Sequence, residues 1–126
     1  QPIEKIPEFL AAADVLLVHL KSSDLSDYVI PSKTTAYLAA GKPIIMAAGG
    51  AAAKLIEEIN AGITIEPEDP FSLAEGIRDL SSMNETVLEK MGDNGRDYFP
   101  SKLSKRVVIP IYNEALVAVA HSKESK

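Results

Sequence analysis

Short, continuous apolar runs alternate along this chain with longer stretches in which apolar residues recur every three or four positions. Val15-Leu16-Leu17-Val18, closed by His19-Leu20, is the first run. A run of this kind suits a strand buried on both faces of a parallel sheet better than a half-solvated strand. Pro43-Ile44-Ile45-Met46-Ala47 predicts a second strand, with proline at its first position, and Ile63-Thr64-Ile65 predicts a third. The stretches between them carry the helical period. Ile6, Phe9, Leu10 and Ala13 open the chain in helix-like sequence. Ser32 has the chemistry of an N-cap, which predicts a helix over Lys33 to Ala40 that ends at Gly41. Gly49-Gly50 marks a tight turn. After it, Ala52, Leu55, Ile56 and Ile59 form a stripe, with Lys54, Glu57 and Glu58 facing water and Gly62 as the stop.

Asp69-Pro70 is a helix start, an acid at the cap and proline at the first helical position, and Leu73, Ile77 and Leu80 give its buried face. Asn84 caps another helix carrying Val87, Leu88 and Met91. The last stripe runs from Arg106 to His121 through Val108, Ile111, Tyr112, Ala115, Leu116 and Val119, as core or interface. Pro110 must start that helix or kink it. The Lys123 to Lys126 tail is expected to fray. The order of elements predicts an α/β fold: a partial doubly wound, Rossmann-like arrangement of three layers, with about three parallel strands and flanking helices. A complete fold of this kind has about six strands. The strand at Val15 is therefore expected to have an unpaired edge, open to another chain. No repeat or low-complexity linker interrupts residues 1–126, which are read as one incomplete domain. The start at Gln1 reads as that of an excised piece.

Composition narrows the classes. The 126 residues are 46% hydrophobic and 25% charged, ordinary values that exclude wholesale disorder. There is no cysteine, hence no disulfide scaffold, thiolate metal site or cysteine nucleophile. The net charge of −5 speaks against a nucleic-acid surface. No apolar run approaches a membrane span and no signal peptide is visible, so the expected location is cytoplasmic. No spacing of His, Asp or Glu suggests a metal, and no cofactor motif, nucleophile elbow or phosphate-binding Gly-rich loop is present. His19 ends a strand near the expected cleft, where it either touches a ligand or is a satisfied structural imidazole. His121 has no role, and Asp14, Asp24, Asp27, Glu57 and Glu66 read as surface acids.

Ligands of parallel sheets lie beyond the carboxyl ends of the strands, near helix N-termini. Two loops qualify. In Val29 to Thr35, the amides of Lys33, Thr34 and Thr35 and the Lys33 ammonium can hold an anion, or the turn simply caps a helix. In Ala48-Gly49-Gly50, the glycines either approach a ligand or make a connector that needs small residues.

The run Ile30-Pro31-Ser32-Lys33-Thr34-Thr35-Ala36-Tyr37-Leu38-Ala39-Ala40-Gly41-Lys42-Pro43-Ile44-Ile45 resembles the donor-binding, C-terminal domain of retaining glycosyltransferases of the two-domain GT-B type. The bacterial enzymes of surface-polysaccharide biosynthesis are the nearest in pattern. Ile6-Pro7 and Ala12 to Leu17 are similar to the lead-in of that family, and Ala61-Gly62-Ile63 and Pro67 to Pro70 with Leu73-Ala74 to its continuation. The resemblance covers about Ile6 to Leu80, and more loosely the last helix. It implies that the chain is the latter half of a nucleotide-sugar-binding domain, in a parent that moves a sugar to a glycan or lipid-linked acceptor. The parent would work in the cytoplasm or at the inner face of the membrane.

It further implies a donor site at Ile30, Pro31, Ser32, Lys33 and Thr34, to which the Gly49-Gly50 turn is added. Two acids of the family are replaced here. The glutamate that bonds the ribose corresponds to Ala36, and one near the donor sugar to Tyr28. Losing one charge-assisted bond costs about 1.5–3 kcal/mol. No residue is assigned a catalytic role, and the chain alone is expected not to turn over. Its expected partners are a nucleoside-diphosphate sugar, the N-terminal part of the parent, and a second copy at the open sheet edge. Two other readings stand beside this one: a non-catalytic remnant serving as an interaction or oligomerisation module, and a stand-alone nucleotide- or phosphate-binding protein.

Overall fold

Three short strands, Leu16–His19 (β1), Ile44–Ala47 (β2) and Gly62–Thr64 (β3), form a parallel sheet in the order β1-β2-β3. The computed structural model describes residues 2–23 and 26–124. Leu16 lies opposite Ile44, and Ile44 in turn opposite Gly62, so one register runs across all three strands. Gly62 is needed at that position. A methyl there would collide with the Ile44 backbone, lying 2.7 Å from its carbonyl carbon. Among the described residues there are six α-helices: Ile6–Ala12 (α1), Ser32–Ala40 (α2), Gly50–Ile59 (α3), Pro70–Ser82 (α4), Glu85–Tyr98 (α5) and Lys105–Glu124 (α6).

Alternate strand residues point to opposite faces, and the two faces bury different helices. On one side Val18, Ile44 and Met46 meet Leu38 of α2, Ala52, Leu55 and Ile56 of α3, and Ala61. Burying each of the larger side chains contributes about 1.5–3 kcal/mol. Helix α5 closes the same side through two glycines, Gly92 and Gly95, both buried. Gly95 faces Leu38 and Ala61, and Gly92 faces the Gly41 carbonyl. On the other side Ile45 is buried and Leu80 of α4 is 1% exposed. Gly76 of α4 lies against Ile63 and Ile65. Helices therefore cover both faces of a parallel sheet, as the alternation of elements predicts.

The local signals held where they were chemical. Gly41 ends α2 in the left-handed region at φ 67, Asp69 caps α4 by accepting from the Phe71 amide at 2.9 Å, and Asn84 caps α5 by accepting from Thr86 at 3.0 Å. Two were misplaced. Helix α3 stops at Asn60, left-handed at φ 52, with the Ala61 amide donating to Ile56, so Gly62 belongs to the strand. Helix α2 begins at Ser32 itself with Pro31 in the cap position, so Ser32 is not the cap.

Burial corrected other expectations. β1 is buried on one face only: Leu16 and Val18 are covered, while Leu17 is 42% exposed and His19 is open. The reason is its place at the edge of the sheet, where among the described residues it pairs with β2 alone. Ile77 and Val87 face water, because α4 and α5 seat themselves through glycines rather than through those side chains. The stripe of α6 is no part of the core: Ile111, Tyr112, Leu116 and Val119 are all exposed. Pro110 lies inside α6 without ending it. The helix continues through Glu124, two residues into the segment expected to fray. Asp24 and residues 125–126 lie outside the described residues.

Candidate functional site

Parallel strands bring all their outgoing loops to one edge. Residues 20–31 leave β1, Ala48 and Gly49 leave β2, and residues 65–69 leave β3. Helix α2 starts at this carboxyl edge. Pro31 precedes it with φ −58 and ψ 140, the extended backbone of a cap residue, and its carbonyl accepts from the Thr34 amide at 2.9 Å. No side chain caps the helix. Position in the helix leaves the Ser32 and Lys33 amides without an intrahelical acceptor, and both residues are exposed. Thr34 is therefore only a partial fit to its expected role, since its amide is already engaged. The Thr35 hydroxyl donates to the Ser32 carbonyl at 2.7 Å.

The positive end of the helix dipole, two amides with no partner among the described residues and the Lys33 ammonium thus converge on solvent at the strand tips. Beneath them the Thr34 side chain is fully buried, and its hydroxyl has no hydrogen-bond partner among the described residues. Ile30 is 41% exposed at the rim.

The Gly49-Gly50 turn is built differently. The short turn Ser26–Tyr28 lies on it, so closely that a methyl on Gly50 would sit 2.5 Å from the Asp27 carbonyl carbon. Gly50 also adopts φ 60. A methyl on Gly49 would lie 3.0 Å from the Asp27 carboxylate oxygen. That arrangement accounts for Gly50 by close approach of this chain's own backbone and for Gly49 by the nearby Asp27 side chain, and the Asp27 carboxylate opposes an anion at the start of α3. Tyr28 is 85% exposed, and Ala36 is exposed on α2. Neither position carries a carboxylate.

A second feature of the edge has no counterpart in the sequence pattern. Nε2 of His19, the last residue of β1, accepts from the Glu68 amide at 3.1 Å. The Glu68 carboxylate accepts from the Ser22 amide at 3.2 Å. These two bonds clasp the loop leaving β1 to the loop entering α4, and Glu68 is held at φ 60, which costs a non-glycine residue about 1–2 kcal/mol. His19 is thus a satisfied imidazole, though an exposed one. Below the clasp lies a cavity of about 200 Å³, walled by Leu17, Ala47, Ile65 and Leu73. Asp69 at its edge accepts from the Ser72 hydroxyl at 2.6 Å as well as from Phe71. Those two bonds, the hydroxyl first, hold its carboxyl below the usual carboxylate range. Residues 49 positions apart meet here only through the sheet, and no spacing rule would have paired them. No group of three or more His, Asp or Glu side chains that could hold a metal occurs among the described residues.

Against known proteins, a family model described as the C-terminal domain of glucosyltransferase 3-like proteins matches residues 19–106. The curated protein named probable glycosyltransferase WbjE, from Pseudomonas aeruginosa, is 31% identical over 115 residues, which are 86% of this chain and 28% of WbjE. Among solved structures, Anabaena Alr3699/HepE, crystallised in complex with UDP, is similar with a TM-score of 0.71 at 18% identity. The match covers 92% of this chain and 30% of HepE. At that identity the likeness is one of fold. The chain spans less than a third of the length of either relative.

Proposed function

The chain belongs to the family of glucosyltransferase 3-like C-terminal domains, and from that premise we propose that it forms part of a glycosyltransferase of the GT-B type. The parent moves a sugar from a nucleoside-diphosphate donor to a glycan or lipid-linked acceptor, as polysaccharide biosynthesis requires. This chain contributes to donor binding, and residues 1–126 are the incomplete nucleotide-sugar-binding domain. The observation that carries the reading is the start of α2: two amides with no partner among the described residues and an exposed lysine at the carboxyl edge of a parallel sheet. Ser32 and Lys33 take the diphosphate end, with Ile30, Pro31 and Thr34 shaping the turn. Gly49 and Gly50 support it indirectly, by letting the Asp27 turn pack close. Stabilising a departing diphosphate is the chemistry such a turn can supply. The N-terminal part of the parent supplies the remainder of the site, so the chain alone binds without turning over.

The parent works on the cytoplasmic side, at the membrane where its acceptor is lipid-linked; no described helix is long and apolar enough to cross a membrane. A second reading, an interaction or oligomerisation module without catalysis, draws on Tyr28 and Ala36 in place of acids, on the unpaired edge of β1 and on the exposed apolar face of α6. Titration with UDP, followed by amide NMR, separates the two. Shifts concentrated at Ser32, Lys33 and Thr34 support donor binding. Silence at millimolar UDP sinks it and leaves the module.

A further inference from the structure

The contact between His19 and Glu68 joins two loops at the carboxyl edge, and the donor reading makes no use of it. The Glu68 amide donates to Nε2 of His19 at 3.1 Å. A ring nitrogen that accepts a hydrogen bond carries no proton, so this bond assigns the proton to Nδ1 and makes the ring neutral. The Glu68 carboxylate in turn accepts from the Ser22 amide at 3.2 Å. Between those two bonds the Glu68 backbone sits at φ 60. Left-handed backbone is unfavourable for a residue with a Cβ, which keeps it only where its surroundings hold it there. One ring nitrogen therefore holds Glu68, and Glu68 holds Ser22.

The first of these bonds exists only while His19 is neutral. An imidazolium has N–H on both nitrogens and accepts nothing, so its Nε2–H would oppose the Glu68 N–H. Glu66, Glu68 and Asp69, from the segment between β3 and α4, line the same cavity as the ring. Ala47 of β2 and Pro70 and Leu73 of α4 line it without charge, and Lys21 stands two residues on in the ring's own loop. A cation at His19 draws the Glu68 carboxylate towards itself and away from the Ser22 amide. Protonation thus ends both bonds, within the range of about pH 5–8 where histidine changes charge. The Asp69 carboxyl, held below the usual carboxylate range by Ser72 and Phe71, stays charged throughout.

We infer that His19 and Glu68 are positioning residues: neutral His19, acting through Glu68, pins the loop that runs from β1 to the start of α2. That loop ends at Pro31, whose extended backbone sets the first amides of α2. The effect on a ligand at Ser32 and Lys33 rests on the donor reading; the clasp and its titration do not.

The test uses the whole 126-residue chain, with amide and imidazole NMR from about pH 8 to about pH 5 and a UDP titration at each end. The Ser22 and Glu68 amides are expected to shift together with the His19 ring. In acid they should exchange with solvent about fivefold faster than in His19→Gln, the factor one ordinary hydrogen bond is worth. Glutamine carries an acceptor oxygen near the place of Nε2 and gains no proton, so His19→Gln is expected to keep both bonds at either pH. Glu68→Gly retains the backbone amide and the left-handed turn, so residue 68 still follows the ring while Ser22 no longer does. The UDP affinity of the wild type, divided by that of His19→Gln at the same pH to cancel titration of the phosphate, is expected to fall in acid by up to about fivefold. Each variant's amide spectrum reports whether it has folded, and the wild-type titration stands without them. Ser22 standing still while the ring titrates overturns the inference, as does a folded His19→Gln that keeps the wild-type titration at Ser22 and Glu68. An affinity ratio that does not change with pH overturns the positioning role and leaves the donor reading. UDP bound by neither protein sinks the donor reading alone, and the titration at Ser22 still decides the clasp.

Discussion

Gly92→Ala tests the packing that seats α2, and with it the candidate site. Helix α5 reaches the end of α2 because Gly92 has no side chain. A methyl there would collide with the Gly41 carbonyl oxygen, 2.8 Å from its carbon and 3.3 Å from the Lys42 nitrogen. All three atoms are backbone, so no rotamer relieves the overlap. Gly41 itself is committed to φ 67 to close α2, and the Arg96 guanidinium lies over it. Two effects compete. Alanine is favoured over glycine inside a helix by about 0.8–1 kcal/mol, whereas overpacking costs about 1–3 kcal/mol. Backbone on both sides puts this site at the upper end, so the net loss is about 2 kcal/mol. With a urea slope of about 1–3 kcal/mol/M, the unfolding midpoint falls by about 1 M. Gly76→Ala is the control. Its methyl meets only the ends of Ile65 and Ile63, at 3.0 and 3.1 Å, which can move, so the helix gain and the packing cost nearly cancel. Urea unfolding followed by far-ultraviolet circular dichroism reads both variants. A Gly92→Ala variant as stable as the wild type, or one no worse than Gly76→Ala, would refute the argument.

Other outcomes follow from the site and its neighbours. Lys33→Ala is expected to weaken UDP binding by about 1–2 kcal/mol, or roughly five- to thirty-fold, since an exposed ammonium adds only part of a charge-assisted bond. The difference should shrink as salt is raised in calorimetric titrations, and equal affinities at low salt would remove Lys33 from the site. Thr34→Val replaces a buried, unpartnered hydroxyl by a methyl and is expected to raise stability by about 1 kcal/mol in urea unfolding. A loss of stability would mean that the hydroxyl is satisfied in solution. Asp69→Ala removes the cap of α4 and is expected to lower the thermal midpoint at neutral pH. The folded carboxyl titrates below its ordinary value of 3.8. Its contribution is therefore complete above about pH 4 and is lost as pH falls through the folded value. Wild type and variant should converge in acid, and a gap that persists at pH 2 contradicts the pairing with Ser72 and Phe71.

What the amino-acid sequence decided by itself was local. The continuous runs at Leu16 and Ile44, the caps at Asp69 and Asn84, and the left-handed close at Gly41 depend on a few neighbouring residues, and each is where the pattern puts it. The parallel sheet followed, because short apolar strands separated by helices have few other ways to bury both faces. The resemblance carried by Ile30 to Ile45 pointed to the right family for the same reason: it lies in one continuous stretch.

Burial and long-range pairing belonged to the tertiary structure. Periodicity marks which residues are apolar but not which helix face finds a partner, so Ile77 reads as part of a buried face and is exposed, and the α6 stripe, read as core or interface, is no part of the core. The glycines that seat α4 and α5 make no hydrophobic signal at all. The Ser32 cap failed because Pro31 had already taken that position. His19 and Glu68 meet across 49 residues, since parallel strands carry their loops to a common edge. Only the assembled sheet could place that imidazole against that amide, or bury the Thr34 hydroxyl with no partner among the described residues.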